Sequence, residues 1–199
     1  LVQYEDTMNV EAASAPLELA FRDYRAEQPV SDEVFDVFRQ AYSYDDAPLN
    51  ARVVEVDTAD AWVKQRIDLD AGYGGETLTA FVFMPPGVDR PLETVMFFPG
   101  SGALYRRSYD EVNPGNFDYL LRSGRAVVFP MYKGTFERGT EITSDIQDES
   151  NLWRDHMIAW ATDLRRTVDY LETRDDLDVD RLGYLGISWG GAVAPVMLA

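Results

Sequence analysis

A chain of 199 residues, 46% of them apolar, is long enough for one domain with its own core. Its 35 acidic against 18 basic residues give a net charge of −17, which speaks against nucleic acid and anionic membrane as partners, since both need a basic face. With no cysteine, disulfides, thiolate nucleophiles and cysteine metal sites are excluded.

No stretch approaches the roughly 18 apolar residues of a transmembrane helix. No basic start and apolar run mark a signal peptide, so a cytoplasmic location is the expectation. The first residue is Leu1, not Met, which reads as a processed or excised product.

Residues 1–50 read as a helical lead-in and 51–199 as the core domain. Leu17, Leu19, Phe21 and Tyr24 are candidate anchors in the lead-in, which Pro29 closes. Ser31 can cap a helix whose first turn carries Asp32 and Glu33. Val34, Phe35, Val37, Phe38, Ala41 and Tyr42 follow at helical spacing and are expected to pack on the core. Asp45-Asp46-Ala47-Pro48 ends that helix.

Strands are expected over 52–56 and 62–70, then a turn through Ala71-Gly72-Tyr73-Gly74-Gly75, then a strand over 76–84. Leu78, Ala80, Val82 and Met84 alternate along it, as in antiparallel strands with one buried face. The pattern then changes. The runs 94–98, 126–129 and 182–187 are continuously apolar, as expected of parallel strands buried on both sides. Helical patterns separate them. Residues 117–122 form one helix, ended by Gly124, and 148–173 form a long one. Trp153, Met157, Trp160, Ala161, Leu164, Val168 and Leu171 fall on one face of the long helix. Another helix opens at Gly190. The fold class is therefore α/β: a mostly parallel sheet with antiparallel N-terminal strands and helices on both faces.

The chemistry centres on Gly186-Ile187-Ser188-Trp189-Gly190-Gly191. This G-x-S-x-G follows a strand and opens a helix, the context of a nucleophile elbow. Close backbone passage demands small residues two before and two after the serine. Without its context the pentapeptide is a weak signal, and a tight strand-to-helix turn is the bland reading. In context, Ser188 is the catalytic nucleophile. The loop Pro99-Gly100-Ser101-Gly102 follows the first buried strand, where this architecture places one oxyanion donor. The residue after the nucleophile gives the other. The backbone N–H groups of Ser101 and Trp189 are assigned to the hole, with Gly102 as the alternative to Ser101. Tyr132 and Lys133, after the second buried strand, either line the substrate pocket or only cover the sheet edge. Tyr105, Arg106 and Arg107 invite the same reading.

A serine nucleophile needs a base and an acid, in the chain order serine, acid, histidine. None of the eleven residues after Ser188 is acidic or histidine. The single histidine, His156, lies on the long helix beside its apolar stripe and reads as a packing or surface residue. The acidic run Asp175 to Asp180 reads as a solvated loop rather than a catalytic or metal site. The chain is accordingly expected to be the N-terminal part of a longer hydrolase, truncated after the start of the nucleophile helix. The remainder would be a further segment or a separate chain.

These motifs resemble the α/β-hydrolase superfamily, nearest its dienelactone hydrolase and prolyl oligopeptidase-like branches. From about Pro29 onward the chain is similar to the hydrolase region at the C-terminal end of certain bacterial serine/threonine kinase and formylglycine-generating-enzyme-like fusion proteins. The likeness is carried by Asp46 to Ala51, Phe98 to Leu104, Ser123 to Val127, Tyr132 to Thr135, Asp169 to Arg174 and Gly186 to Gly190. It implies Ser188 as nucleophile, Ser101 with Trp189 as oxyanion hole, a small-molecule ester substrate and no cofactor or metal. The family's acid and histidine have no counterpart here. A prolyl oligopeptidase-like peptidase is the alternative within enzymes, although no propeller repeat is visible. A catalytically silent binding or regulatory module on the same scaffold is the alternative outside them.

Overall fold

The computed structural model describes residues 25–111 and 114–199, together with Ser14 and Asp23. The expected anchors Leu17, Leu19, Phe21 and Tyr24 lie outside the described residues.

Six strands form one sheet: β1 (Arg52–Ala59), β2 (Trp62–Asp70), β3 (Thr77–Met84), β4 (Leu92–Phe98), β5 (Ala126–Pro130) and β6 (Leu177–Gly186). Their spatial order is β1-β2-β3-β5-β4-β6. The first three strands are an antiparallel meander, and β3 joins β5 antiparallel. The strands β5, β4 and β6 are mutually parallel. Four strands thus point one way and only β1 and β3 point back, the mixed sheet that the change of hydropathy pattern at residue 94 predicts. The helices are α1 (Asp32–Gln40), α2 (Gly102–Tyr105), α3 (Asp118–Arg122), α4 (Asn151–Leu171) and α5 (Trp189–Met197).

Alternation along the strands sends side chains to two cores, one on each face. Phe81, Phe83, Phe97, Val127 and Phe129 pack under Phe117 and Leu121 at α3. Leu78, Ala80, Val82, Met96, Phe98, Ala126 and Val128 pack under Trp160 and Leu164 of α4 and Val193 of α5. Each fully buried phenylalanine contributes about 2–3 kcal/mol of transfer free energy. The long helix starts three residues later than its apolar pattern alone suggests. The Ser150 hydroxyl accepts the Trp153 N–H at 3.1 Å and so fixes the N-cap.

Four expectations need correction. The stripe over α1 is largely exposed: the helix has no buried residue, Val37 and Phe38 are 65% and 66% exposed, and the contact with the core comes from Tyr42, just past its end. Nor does Ser31, at its N-cap, make a side-chain cap bond. The third apolar strand is only half-buried, because β6 is the last strand in the sheet order among the described residues. The acidic run is a turn at Asp175 and Asp176 and a strand beyond them. Residues 177–180 belong to β6, where Leu92 pairs with Leu177 and Glu93 with Asp178. The ladder then shifts so that Thr94 pairs with Leu182. Arg181 binds both Glu93 and Asp178 at 2.7 Å, relieving the repulsion of two carboxylates placed opposite each other.

Candidate active site

The C-terminal ends of β4, β5 and β6 share one edge of the sheet, and the loops leaving them carry the predicted site residues. Ser188 sits between β6 and α5 with φ 51° and ψ −108°, a conformation costly for any residue with a side chain. Two glycines make this turn possible. A Cβ on Gly186 would stand 2.4 Å from the Gly190 carbonyl group, and a Cβ on Gly190 2.4 Å from the Phe98 carbonyl oxygen. The turn is tied to β4 by Ile187 N–H donating to Phe98 O (3.1 Å) and Gly190 N–H to Pro99 O (3.2 Å). The result is an exposed serine at the N-terminus of a helix, held by backbone on both sides.

Trp189 is the first residue of α5, so its N–H has no acceptor within the helix. Its indole is 2% exposed and packs edge-on against Phe98 and Trp160 at 5.1 and 4.8 Å between ring centres, which fixes the backbone beside Ser188. The loop after β4 comes up against the serine from the other side. A Cβ on Gly100 would lie 3.6 Å from that of Ser188. Ser101 and Gly102 follow at the start of α2, where Ala103 N–H already donates to Gly100 O and Leu104 N–H to Ser101 O. The structure therefore places the Gly100–Gly102 loop and the start of α5 against one another around Ser188.

Tyr132 and Lys133 are both engaged by neighbouring groups. Tyr132 is fully buried, stacked on Phe98 with ring centres 4.0 Å apart, and its hydroxyl donates to Phe97 O at 3.4 Å. Complete burial and the stack on Phe98 make it core, which its position after a buried strand did not reveal. The Lys133 ammonium is ion-paired to Glu76, and its carbonyl accepts the Trp160 indole N–H at 2.7 Å.

Sequence reasoning missed the polar cluster that holds this loop. Asp163 of α4 is completely buried. It accepts from the Tyr73 hydroxyl (2.7 Å), the Lys133 N–H (2.8 Å) and the Arg138 guanidinium (2.7 Å). Arg138 also donates to Met131 O and Glu76. Burial pushes the Tyr73 hydroxyl well above its ordinary range, with the Asp163 charge adding to it, so tyrosine remains a donor. Burial works against charge on Glu76, but Lys133 and Arg138 outweigh it and hold that carboxyl below its usual value. One signal was available: Asp163 stands three residues after Trp160 and so falls on the apolar face of α4. Asp163→Ala should strand a buried guanidinium and destabilise the protein by about 3–5 kcal/mol in urea unfolding. A loss below about 1 kcal/mol would contradict this role.

His156 is buried on the same helix. Its Nδ1 lies 2.8 Å from Leu152 O, and its ring rests where a Cβ on Gly134 would come within 3.2 Å. It belongs to the packing between α4 and the loop after β5, as its place beside the stripe suggested.

No family model matches the chain. It is 25% identical over 161 residues to a Bacillus subtilis (strain 168) protein named "Putative hydrolase YtaP", covering 75% of this chain and 53% of that protein. Among solved structures, acetyl xylan esterase 1 from Thermoanaerobacterium sp. JW/SL YS485 superposes with a TM-score of 0.62 at 13% identity. That match covers 86% of this chain and 55% of the esterase. An acetyl xylan esterase from Paenibacillus sp. R4 gives 0.60 at 17% identity, covering 83% and 54%. A glucuronoyl esterase from Solibacter usitatus gives 0.53 at 15%, covering 76% and 49%. The chain spans about half the length of these relatives. With its strand order, its two helical layers and its strand-to-helix serine turn, the chain has the α/β-hydrolase fold.

Proposed function

We propose that this chain carries the nucleophile of a serine hydrolase that acts on carboxylic esters through an acyl-enzyme at Ser188. The observation that carries the reading is the backbone of Ser188 itself. A residue with a side chain persists at φ 51° and ψ −108° only where its surroundings impose it, and such strain gathers at reacting groups. Here two glycines and the Phe98 carbonyl impose it.

In the proposed reaction Ser188 Oγ attacks the ester carbonyl carbon as its proton passes to a base. The C–O bond to the alcohol breaks, and the alcohol leaves with that proton. Water then repeats the sequence on the acyl-enzyme, releasing the acid and restoring the hydroxyl. Backbone N–H groups of Trp189 and of Ser101, or of Gly102 in its place, hold the developing oxyanion, each for about 3 kcal/mol of barrier. The base and acid are assigned to sequence that this chain does not contain. His156, the only histidine, is committed to packing under Gly134, and the matched relatives are about twice as long as the part this chain spans. The esterase names among the structural neighbours agree with an ester substrate.

A fluorophosphonate probe tests the nucleophile directly. The full protein should be labelled at Ser188 and at no other serine, as read by peptide mass spectrometry, and Ser188→Ala should take no label. Labelling elsewhere, or none, would refute the assignment.

A further inference from the structure

The run Tyr105-Arg106-Arg107 leaves the loop that carries Ser101 and Gly102, and its three side chains are not equivalent. The Tyr105 hydroxyl donates to Thr143 O at 3.3 Å, and the Arg107 guanidinium donates to Leu104 O at 3.1 Å. Arg106 makes no side-chain hydrogen bond or ion pair with any described residue. Its backbone N–H donates to Gly102 O at 3.2 Å, which fixes it at the end of α2. Its guanidinium folds back over Gly102, where Nη1 lies 3.5 Å from the position a Cβ would take. Gly100, two residues earlier, abuts Ser188. An exposed cation thus covers the loop beside the nucleophile.

An arginine unpaired among the described residues is unexpected in a chain with 35 acids and 18 bases, and Asp110, four positions on, does not engage it. A net charge of −17 repels anions at long range. Screening confines that repulsion to about 8 Å at physiological ionic strength, so a guanidinium at the reacting loop decides what binds there. Its planar fork matches the two oxygens of a carboxylate.

We propose that Arg106 is a specificity residue that selects esters carrying a free carboxylate close to the scissile bond. The inference rests on the reading of Ser188 as nucleophile. The preferred substrate is a half-ester of a dicarboxylic acid or an ester of similar charge, and an uncharged ester of equal length is the poorer one.

The test compares release of methanol from monomethyl succinate and from methyl butyrate by the full protein. Wild type should favour monomethyl succinate by about tenfold in kcat/KM. Arg106→Ala should remove that preference through KM, and Arg106→Lys should restore part of it. Arg122→Ala, which removes an exposed cation from α3 just before β5 begins, at the opposite edge of the sheet, should keep it. Equal turnover of the two esters by wild type would overturn the proposal. So would Arg106→Ala lowering kcat alike on both, since that is the signature of oxyanion stabilisation. Binding is read separately in the Ser188→Ala background by NMR titration with monomethyl succinate. Affinity should fall about tenfold when Arg106→Ala is added. An unchanged affinity would overturn the selection of anions. Binding that depends on Arg106, with neither ester turned over by wild type, would support the anion site and defeat the ester hydrolase reading instead.

Discussion

Ser188→Gly should abolish turnover of the full protein and at the same time make it more stable than Ser188→Ala by about 1 kcal/mol. The serine is held at φ 51° and ψ −108°, where a side chain costs about 1–3 kcal/mol and glycine costs little. Glycine loses about 0.5–1 kcal/mol more than alanine in backbone entropy on folding, so part of the gain is offset. Removing the hydroxyl loses no cap, because the Ser188 side chain makes no capping bond to α5. Alanine keeps the strain and glycine relieves it, while both remove the proposed nucleophile. Each variant should lower kcat by about 10⁴-fold or more. Urea midpoints of the two variants isolate the backbone contribution. A glycine variant less stable than the alanine variant would show that the elbow is unstrained, and retained turnover in either would remove Ser188 from the chemistry.

The strand-to-helix turn at Ser188 was legible because its requirements are local. Small residues two before and two after a serine, between a strand and a helix, are a statement about backbone clearance that spacing can carry. The parallel half of the sheet was legible for a similar reason, since strands covered on both faces read as apolar runs. Failures cluster where the answer depends on a distant partner. Phe35 and Phe38 stand at helical spacing, but periodicity reports a face without reporting whether anything covers it. Asp178 and Asp180 alternate with Leu177 and Val179, the period of a half-covered strand, yet their charge hid the pattern. What holds Asp178 in β6 is pairing with Glu93 of β4, 85 positions away. The buried acid Asp163 is read as surface by any composition argument. Its partners Tyr73, Lys133 and Arg138 come from two other loops, so only the folded chain assembles them.

Gly190→Ala should unfold the protein or destabilise it by about 4 kcal/mol or more, while Gly191→Ala, one residue on, should cost less than about 1 kcal/mol. The two glycines share the first turn of α5, so helix propensity favours alanine at both and cannot separate them. Conformation does not separate them either, as neither has a positive φ. What differs is the neighbour. A Cβ on Gly190 meets the Phe98 carbonyl oxygen at 2.4 Å and its carbon at 2.9 Å, both backbone of β4. Nothing there can rotate away. Clearing the overlap means moving α5 off β4, which breaks the Ile187-to-Phe98 and Gly190-to-Pro99 hydrogen bonds and opens the packing of Trp189 on Phe98. A Cβ on Gly191 meets nothing closer than the Gly186 carbonyl oxygen at 3.4 Å, an ordinary contact. The same overlap argument makes Gly186→Ala as damaging as Gly190→Ala, because its Cβ would strike the Gly190 carbonyl group from the opposite side. Thermal or urea unfolding of the three variants would order them, and a Gly190→Ala protein as stable as Gly191→Ala would mean that the strand and the helix are not in the close contact that holds Ser188 in its strained turn.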